Sequence, residues 1–146
     1  MHTPELSLPE YAATITFPAG LVGFEGWKRF ELLVDDEQDL PVAILQCLDE
    51  PQVRLMVTDP LVLRPDYEIK LSYRDRVELE LGQQRPTTYC TLSLADDGWL
   101  TANLLGPLLI NPTTRIGKQL MLADAGYSTR HPIVQLSPEA RVACSS

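Results

Sequence analysis

Histidine is scarce in this 146-residue chain. There are two, His2 and His131, and neither stands at a metal-ligand spacing from a Cys, Asp or Glu. That argues against a dedicated metal site. Cysteine is scarce too: Cys47, Cys90 and Cys144 form an odd set without a CxxC pair. A disulfide framework is therefore not expected, and the pattern suits a reducing cytoplasm. Cys47 and Cys90 lie in apolar strand contexts, where a free thiol acts as a small core residue, whereas Cys144 lies in a polar tail and is expected to be exposed. No apolar run approaches the ~20 residues needed to span a bilayer. Residues 1–12 lack the basic region and apolar stretch of a signal peptide. The expectation is a soluble, cytoplasmic protein with no membrane role. A basic patch is missing as well, so direct nucleic-acid binding is not expected.

What the chain does have is acid, unevenly spread. The net charge is −8; residues 1–80 carry 16 acids against 7 bases, and residues 81–146 carry 4 against 5. The plain reading is a solvated, soluble surface, and the functional one is attraction of a basic partner. Twelve prolines favour short strands and turns over long helices. The length fits one domain, residues 1–146, with residues 1–12 as a loose arm and 134–146 as a poorly defined tail.

Period-two alternation dominates the pattern. It runs through Phe30, Leu32 and Val34, through Val53, Leu55 and Val57, and through Tyr67, Ile69 and Leu71. Such alternation puts one face on a core and the other in water, as in antiparallel sheets. Thr14 to Phe17, Pro41 to Cys47 and Thr87 to Leu94 add further strands, and Asp96-Asp97-Gly98 reads as a hairpin turn. Leu100 to Ile110 reads as one long strand bent at Gly106-Pro107, followed by a turn over 112–117 and a return over 118–123. Ser72, with Asp75 three residues on, looks like a helix start; Tyr73, Val77 and Leu81 share a helical face, and Gly82 is a stop. Residues 77–81 also alternate as a strand would, but the start and stop signals favour a short helix. The sum is an all-β, mainly antiparallel domain, a small barrel or sandwich with one short helix.

Few residues invite chemistry. Gly20 to Gly26 is glycine-rich but lacks the Lys-Ser/Thr ending of a phosphate loop, so a turn is expected. Asp124, Ser128 and His131 make an unconvincing triad: they lie too close in sequence and lack a nucleophile elbow. Asn103 and Asn111 lie in apolar strands, where they either pin a bulge or loop or line a recognition groove. Asp59-Pro60 and Pro65-Asp66 flank Leu61-Val62-Leu63, which reads as a kink or as a sheet edge open to a partner. No catalytic residue, cofactor or metal is expected. Residues 101–132, nearly free of acids, carry Leu104, Leu105 and Leu108 in the bent strand. Apolar side chains left out of the core there would mark a binding surface; the alternative is that they are ordinary core.

Ordered blocks in the chain resemble one known family. They are Ile15-Thr16-Phe17-Pro18 with Gly20-Leu21 and Gly23-Phe24-Glu25; Arg29-Phe30; Leu45-Gln46 with Asp49 and Pro51; Asp59-Pro60; and Pro65-Asp66-Tyr67-Glu68. Thr101-Ala102-Asn103-Leu104, Gly106-Pro107, Ile110-Asn111, Gly117-Lys118-Gln119, Tyr127 and Arg130-His131-Pro132 follow. Over residues 13–133 this order and spacing resembles the flagellar assembly factor FliW family. The resemblance implies a compact β-barrel-like fold, no enzymatic activity and two mutually exclusive partners. One is flagellin, bound in the cytoplasm before export through its terminal helical region. The other is CsrA, an RNA-binding repressor of translation, captured and antagonised when flagellin has left. The free protein is expected to be a monomer. The partner-binding candidates are Asn103, Leu104, Leu105, Pro107, Asn111, Tyr127 and Arg130. Rival readings are a small-molecule-binding or enzymatic β-barrel using Asn103, Asn111, Tyr127 and His131, and a flagellin chaperone without a role in translation.

Overall fold

The computed structural model describes residues 12–34, 42–123 and 126–138. The acidic loop over 35–39, the N-terminal arm, Asp124 and Cys144 lie outside the described residues. The elements are β1 (Ala12–Thr16), β2 (Arg29–Val34), β3 (Val42–Cys47), β4 (Arg54–Thr58), α1 (Pro60–Leu63), α2 (Tyr73–Glu78) and β5 (Thr87–Leu94), followed by β6 (Trp99–Ala102), β7 (Leu108–Ile110), β8 (Gly117–Gln119) and β9 (His131–Gln135).

The strands form a nine-stranded antiparallel sheet that closes almost into a barrel. β1 to β5 pair in sequence order, and β5 is long enough to serve two neighbours on its way. Its residues Leu92–Leu94 pair with β6, and its residues Thr87–Tyr89 pair with β7. β7 pairs with β8, and the circuit is completed by a parallel bridge between Thr16 and Ile116, where the Thr16 amide donates to the Arg115 carbonyl at 3.0 Å. β6 carries β9 as an outlying strand.

Alternation assigns side chains to three cores. Ile15, Phe17, Phe30, Leu45, Val57, Leu108 and Ile110 pack together as the barrel interior, with Phe17 and Phe30 edge to face at 5.6 Å. Leu109, one residue out of phase, joins Leu79, Leu81 and Leu120 in a second cluster. Cys90, out of phase with Tyr89, joins Tyr67, Ala102 and Leu104 in a third. Both faces of β5 and β7 are thus covered, which is why the run Leu108–Asn111 is buried throughout.

The all-β expectation holds, as a barrel rather than a sandwich, and four local expectations are corrected. Leu61-Val62-Leu63 is not an edge strand but a helical turn. Asp59 accepts the Leu61 amide at 2.9 Å as its N-cap and Pro60 takes the first position, where proline's missing N–H costs nothing. Tyr67 to Leu71 alternates but forms no ladder; Tyr67, Ile69 and Leu71 point into the second and third clusters from an extended segment. The short helix has the expected reciprocal cap between Ser72 and Asp75, but it stops at Glu78 and its Tyr73–Val77 face is solvent-facing, with Tyr73 84% exposed. Burial falls instead to Leu79 and Leu81, just past its end. The helix is held by Lys118, whose Nζ donates to Asp75 at 2.9 Å and also bonds Glu78. Last, Leu100 to Ile110 is two strands, β6 and β7, separated by a bulge at 103–107. β9 extends through Val134 and Gln135, beyond the point where the sequence pattern fades.

Candidate functional site

The bulge between β6 and β7 is built by its own sequence. Asn103 donates its backbone N–H to Thr91 at 2.9 Å, which keeps it on β5. Its side-chain Oδ1 then accepts from the amides of Leu105 at 3.1 Å and Gly106 at 2.9 Å, folding the chain back as an asparagine-led turn. A Cβ at position 106 would meet the Gln119 and Asn103 side-chain amides and the Met121 sulfur, so a larger residue there would have to push the Gln119 amide aside. Pro107 is buried and its carbonyl accepts from Leu120 at 2.9 Å.

Asn111, at the end of β7, is 1% exposed and uses its whole amide. Nδ2 donates to the carbonyls of Leu79 at 2.8 Å and Glu80 at 3.1 Å, and Oδ1 accepts from Thr113 at 2.8 Å and Thr114 at 3.1 Å. It ties the end of α2 to the turn that leads into the barrel seam. Leu104 lies wholly in the third core cluster, and its carbonyl accepts from the Tyr67 hydroxyl at 2.6 Å. Burial, then the nearby Cys90 and Tyr127, push the Tyr67 phenol well above its ordinary range, so it remains a donor. Tyr127 packs on Tyr67 with ring centroids 4.5 Å apart, accepts the Glu68 amide at 3.0 Å and lies under the Arg64 guanidinium.

The seven sequence candidates therefore separate. Leu104, Pro107 and Asn111 are buried and present no surface; Leu108, offered with them as exposed apolar surface, is buried also. A buried amide must find partners within the fold, and Asn111 has four. Asn103 is half-buried and shapes the bulge from within. Leu105 and Tyr127 are half-buried and Arg130 is exposed, its amide donating to Ser128 Oγ at 2.9 Å. Ser128 is thus engaged locally, and no group of three or more His, Cys, Asp or Glu suited to a metal exists among the described residues.

The surface that the bulge does build includes residues far away in sequence. The Gly20–Gly26 segment is a tight turn, with Gly20 at φ +72° and its missing Cβ lying where the Glu25 backbone passes. The Leu21–Phe24 bridge pinches the turn, and Phe24 stacks on Trp27 at 4.0 Å with the rings nearly parallel. Gln119 fastens this turn to the bulge: Oε1 accepts the Val22 amide at 2.8 Å and Nε2 donates to the Gly106 carbonyl at 2.9 Å. Val22, Phe24 and Met121 around it are about half exposed. An apolar face thus spans the glycine turn, the bulge and the segment just after β8. Nothing in the local pattern singles out Gln119. The available signal was a glycine-rich turn holding Val22 and Phe24 with no strand to bury them.

The chain matches known proteins along most of its length. The family model described as FliW protein matches residues 4–133. The flagellar assembly factor FliW of Natranaerobius thermophilus is 36% identical over 122 residues, covering 82% of this chain and 80% of that protein. The protein of the same name from Treponema pallidum is 36% identical over 132 residues, covering 87% and 85%. A crystal structure of the flagellar assembly factor FliW superposes with a TM-score of 0.73 at 34% identity, covering 82% of this chain and 84% of the other.

Proposed function

The chain belongs to the FliW family of flagellar assembly factors, and from that premise we propose that it binds flagellin in the cytoplasm and, when free of it, binds and antagonises CsrA. Flagellin synthesis is then coupled to export by competition between two affinities, without chemistry at a catalytic centre. The observation that carries this reading is the family match over residues 4–133, which takes in every block that shapes the bulge and the glycine turn.

The partner surface follows from exposure. Val22, Phe24, Leu105 and Met121 supply apolar contact area around Gln119, and Tyr127 and Arg130 are the remaining candidates with surface to offer. Exposed apolar groups gathered from several segments on one rigid frame are what a protein interface uses. Asn103, Leu104, Pro107 and Asn111 act by holding that surface in shape. Acidic charge in the first half of the chain favours a basic partner such as an RNA-binding repressor, chiefly through association rate and salt dependence. The free protein acts as a monomer.

The test is titration of the purified chain with monomeric flagellin and with CsrA, followed by competition on a sizing column. Binding to both, one excluding the other, is expected, with flagellin lacking its helical ends failing to bind. No binding of full-length flagellin at tens of micromolar, equivalent to about −6 kcal/mol, overturns the reading. Binding of flagellin alone leaves a chaperone without a role in translation.

A further inference from the structure

A concave site that shares no residue with the Gln119 face lies between α1 and the segments that flank α2. Its volume is about 300 Å³. Ile69, Leu71 and Leu109 supply apolar lining, and Leu61 of α1 stands at its margin. Its charged groups are Arg76, Arg85 and Asp59. Asp59 is already engaged by the Leu61 amide as a helix cap. Arg76 Nη1 donates to two carbonyls, those of Gly82 at 3.0 Å and Gln84 at 3.3 Å, which fixes the guanidinium's position without neutralising it. Arg85 is exposed and forms no salt bridge among the described residues. Two guanidiniums against one carboxylate give this part-apolar cavity a net positive lining, on a chain whose net charge is −8.

We propose that this cavity is a docking pocket for a partner protein segment that presents an apolar side chain next to a carboxylate. Charge complementarity selects the carboxylate: an arginine fork binds it through paired N–H groups, and an ammonium would be repelled. The volume and lining select an aliphatic or aromatic anchor. A peptide fits better than a free organic acid because apolar surface continues outside the cavity. Leu61 and Val62 are each about half exposed on α1, and a small ligand seated inside would leave Val62 uncovered. The proposal rests on the reading that the chain works by holding protein partners, and it adds a second anchor point to the Gln119 face.

The probe is the tetrapeptide Glu-Leu-Leu-Glu, capped at both ends and titrated into the isotopically labelled chain while backbone amide resonances are followed. Neither flagellin nor CsrA is needed, so this proposal and the proposed function fail separately. Saturable shifts at Leu61, Val62, Arg85 and Thr88 are expected. Arg85→Glu should weaken the binding by about tenfold, or about 1.4 kcal/mol, and Arg85→Lys should restore part of it. Arg85 is chosen over Arg76 because its exposed side chain supports no carbonyl among the described residues, and an unchanged amide spectrum of the free variant away from position 85 confirms that the fold is intact. The capped Lys-Leu-Leu-Lys peptide should give no saturable shift at the pocket. The proposal is overturned by absence of saturation up to about 10 mM peptide, by equal binding of the lysine peptide, or by an unaltered Arg85→Glu variant. It is also overturned if octanoate binds as tightly as the peptide without moving Val62, which would assign the pocket to a free carboxylic acid.

Discussion

Gln119 accepts the Val22 amide through Oε1 at 2.8 Å, so a strand from the second half of the chain holds a turn from the first. The same side chain donates to Gly106, which makes one amide the hinge pin of the apolar face. Gln119→Ala removes both bonds. A loss of about 1 kcal/mol is expected, read as a lower urea midpoint with unchanged slope. Affinity for flagellin should fall further than stability does, because the turn and the bulge no longer share a frame. A variant as stable and as tightly bound as the wild type would show that the face does not depend on this link.

Asn111 should be much less tolerant. Asn111→Ala leaves two carbonyls and two amides short of partners, with the side-chain site itself buried, and should cost about 3 kcal/mol. Asn111→Asp discriminates further. Near neutral pH its carboxylate keeps the bonds from Thr113 and Thr114 but faces the Leu79 and Glu80 carbonyls with no proton to give. Nearer to pH ~4 the protonated acid becomes a donor again. Relative to the wild type, Asn111→Asp should therefore be less destabilised in mild acid than at neutrality, measured by denaturant unfolding at both pH values.

Cys47 and Cys90 are both buried. Burial, reinforced by Asp59, pushes the Cys90 thiol up to about 11, so almost none is thiolate at neutral pH. Native protein should react with a thiol reagent at neither position until it is unfolded. Serine at either position would bury a hydroxyl, costing about 1–3 kcal/mol. A rapid native reaction mapped to Cys47 or Cys90, or melting curves identical to the wild type, would refute this.

The Lys118 cluster predicts the shape of the pH profile. Burial alone would raise the Asp75 carboxyl, but hydrogen bonds from Lys118 and Ser72 outweigh it and hold the group below its ordinary value. Hydrogen bonds from Lys118 and then Arg74 lower Glu78. A carboxylate depressed on folding stabilises above its unfolded pKa, about 4, and that contribution disappears as pH falls through the folded value. Desolvation opposes the charge on Lys118, yet bonds from Glu78 and Asp75 raise it overall. Its contribution is complete below about pH 10 and is lost above. Lys118→Met should flatten both flanks of the stability profile and loosen α2. Flanks as steep as those of the wild type would assign the pH dependence elsewhere.

Much of the barrel was legible as alternation, because a strand with one wet face must alternate. Phe30 and Val57 were readable in this way, and Leu45 as part of an apolar run. Tyr67 to Leu71 shows the limit: alternation reports two faces, and an extended segment laid over a sheet has two faces without any ladder. The helix start at Ser72 was readable because a cap is local chemistry. Which residues of the helix would be buried was not, because Tyr73 and Val77 depend on what packs opposite, and Lys118 lies 45 positions beyond Tyr73. The candidate site divides in the same manner. Asparagine in apolar sequence correctly marked the bulge and the Asn111 clasp as special, but a polar residue that satisfies buried backbone and one that meets a partner look alike in sequence. Gln119 was read only as part of a family block, and its clasping role was not legible because both of its partners are distant along the chain.

The seam between Thr16 and Ile116 also sets a timetable. Non-local closure carries its entropic cost before any contact rewards it. At ordinary synthesis rates, roughly 5–20 s pass on the ribosome between the appearance of β1 and that of β8. For that interval the Thr16 end of β1 lacks its bridge partner, and Phe17 lacks the close contact that Gly117 later makes with its ring. A nascent or truncated chain that stops short of β8 is therefore an open sheet with a sticky margin. Barrel closure thus acts as a length check, passed only by a chain synthesised through Gln119.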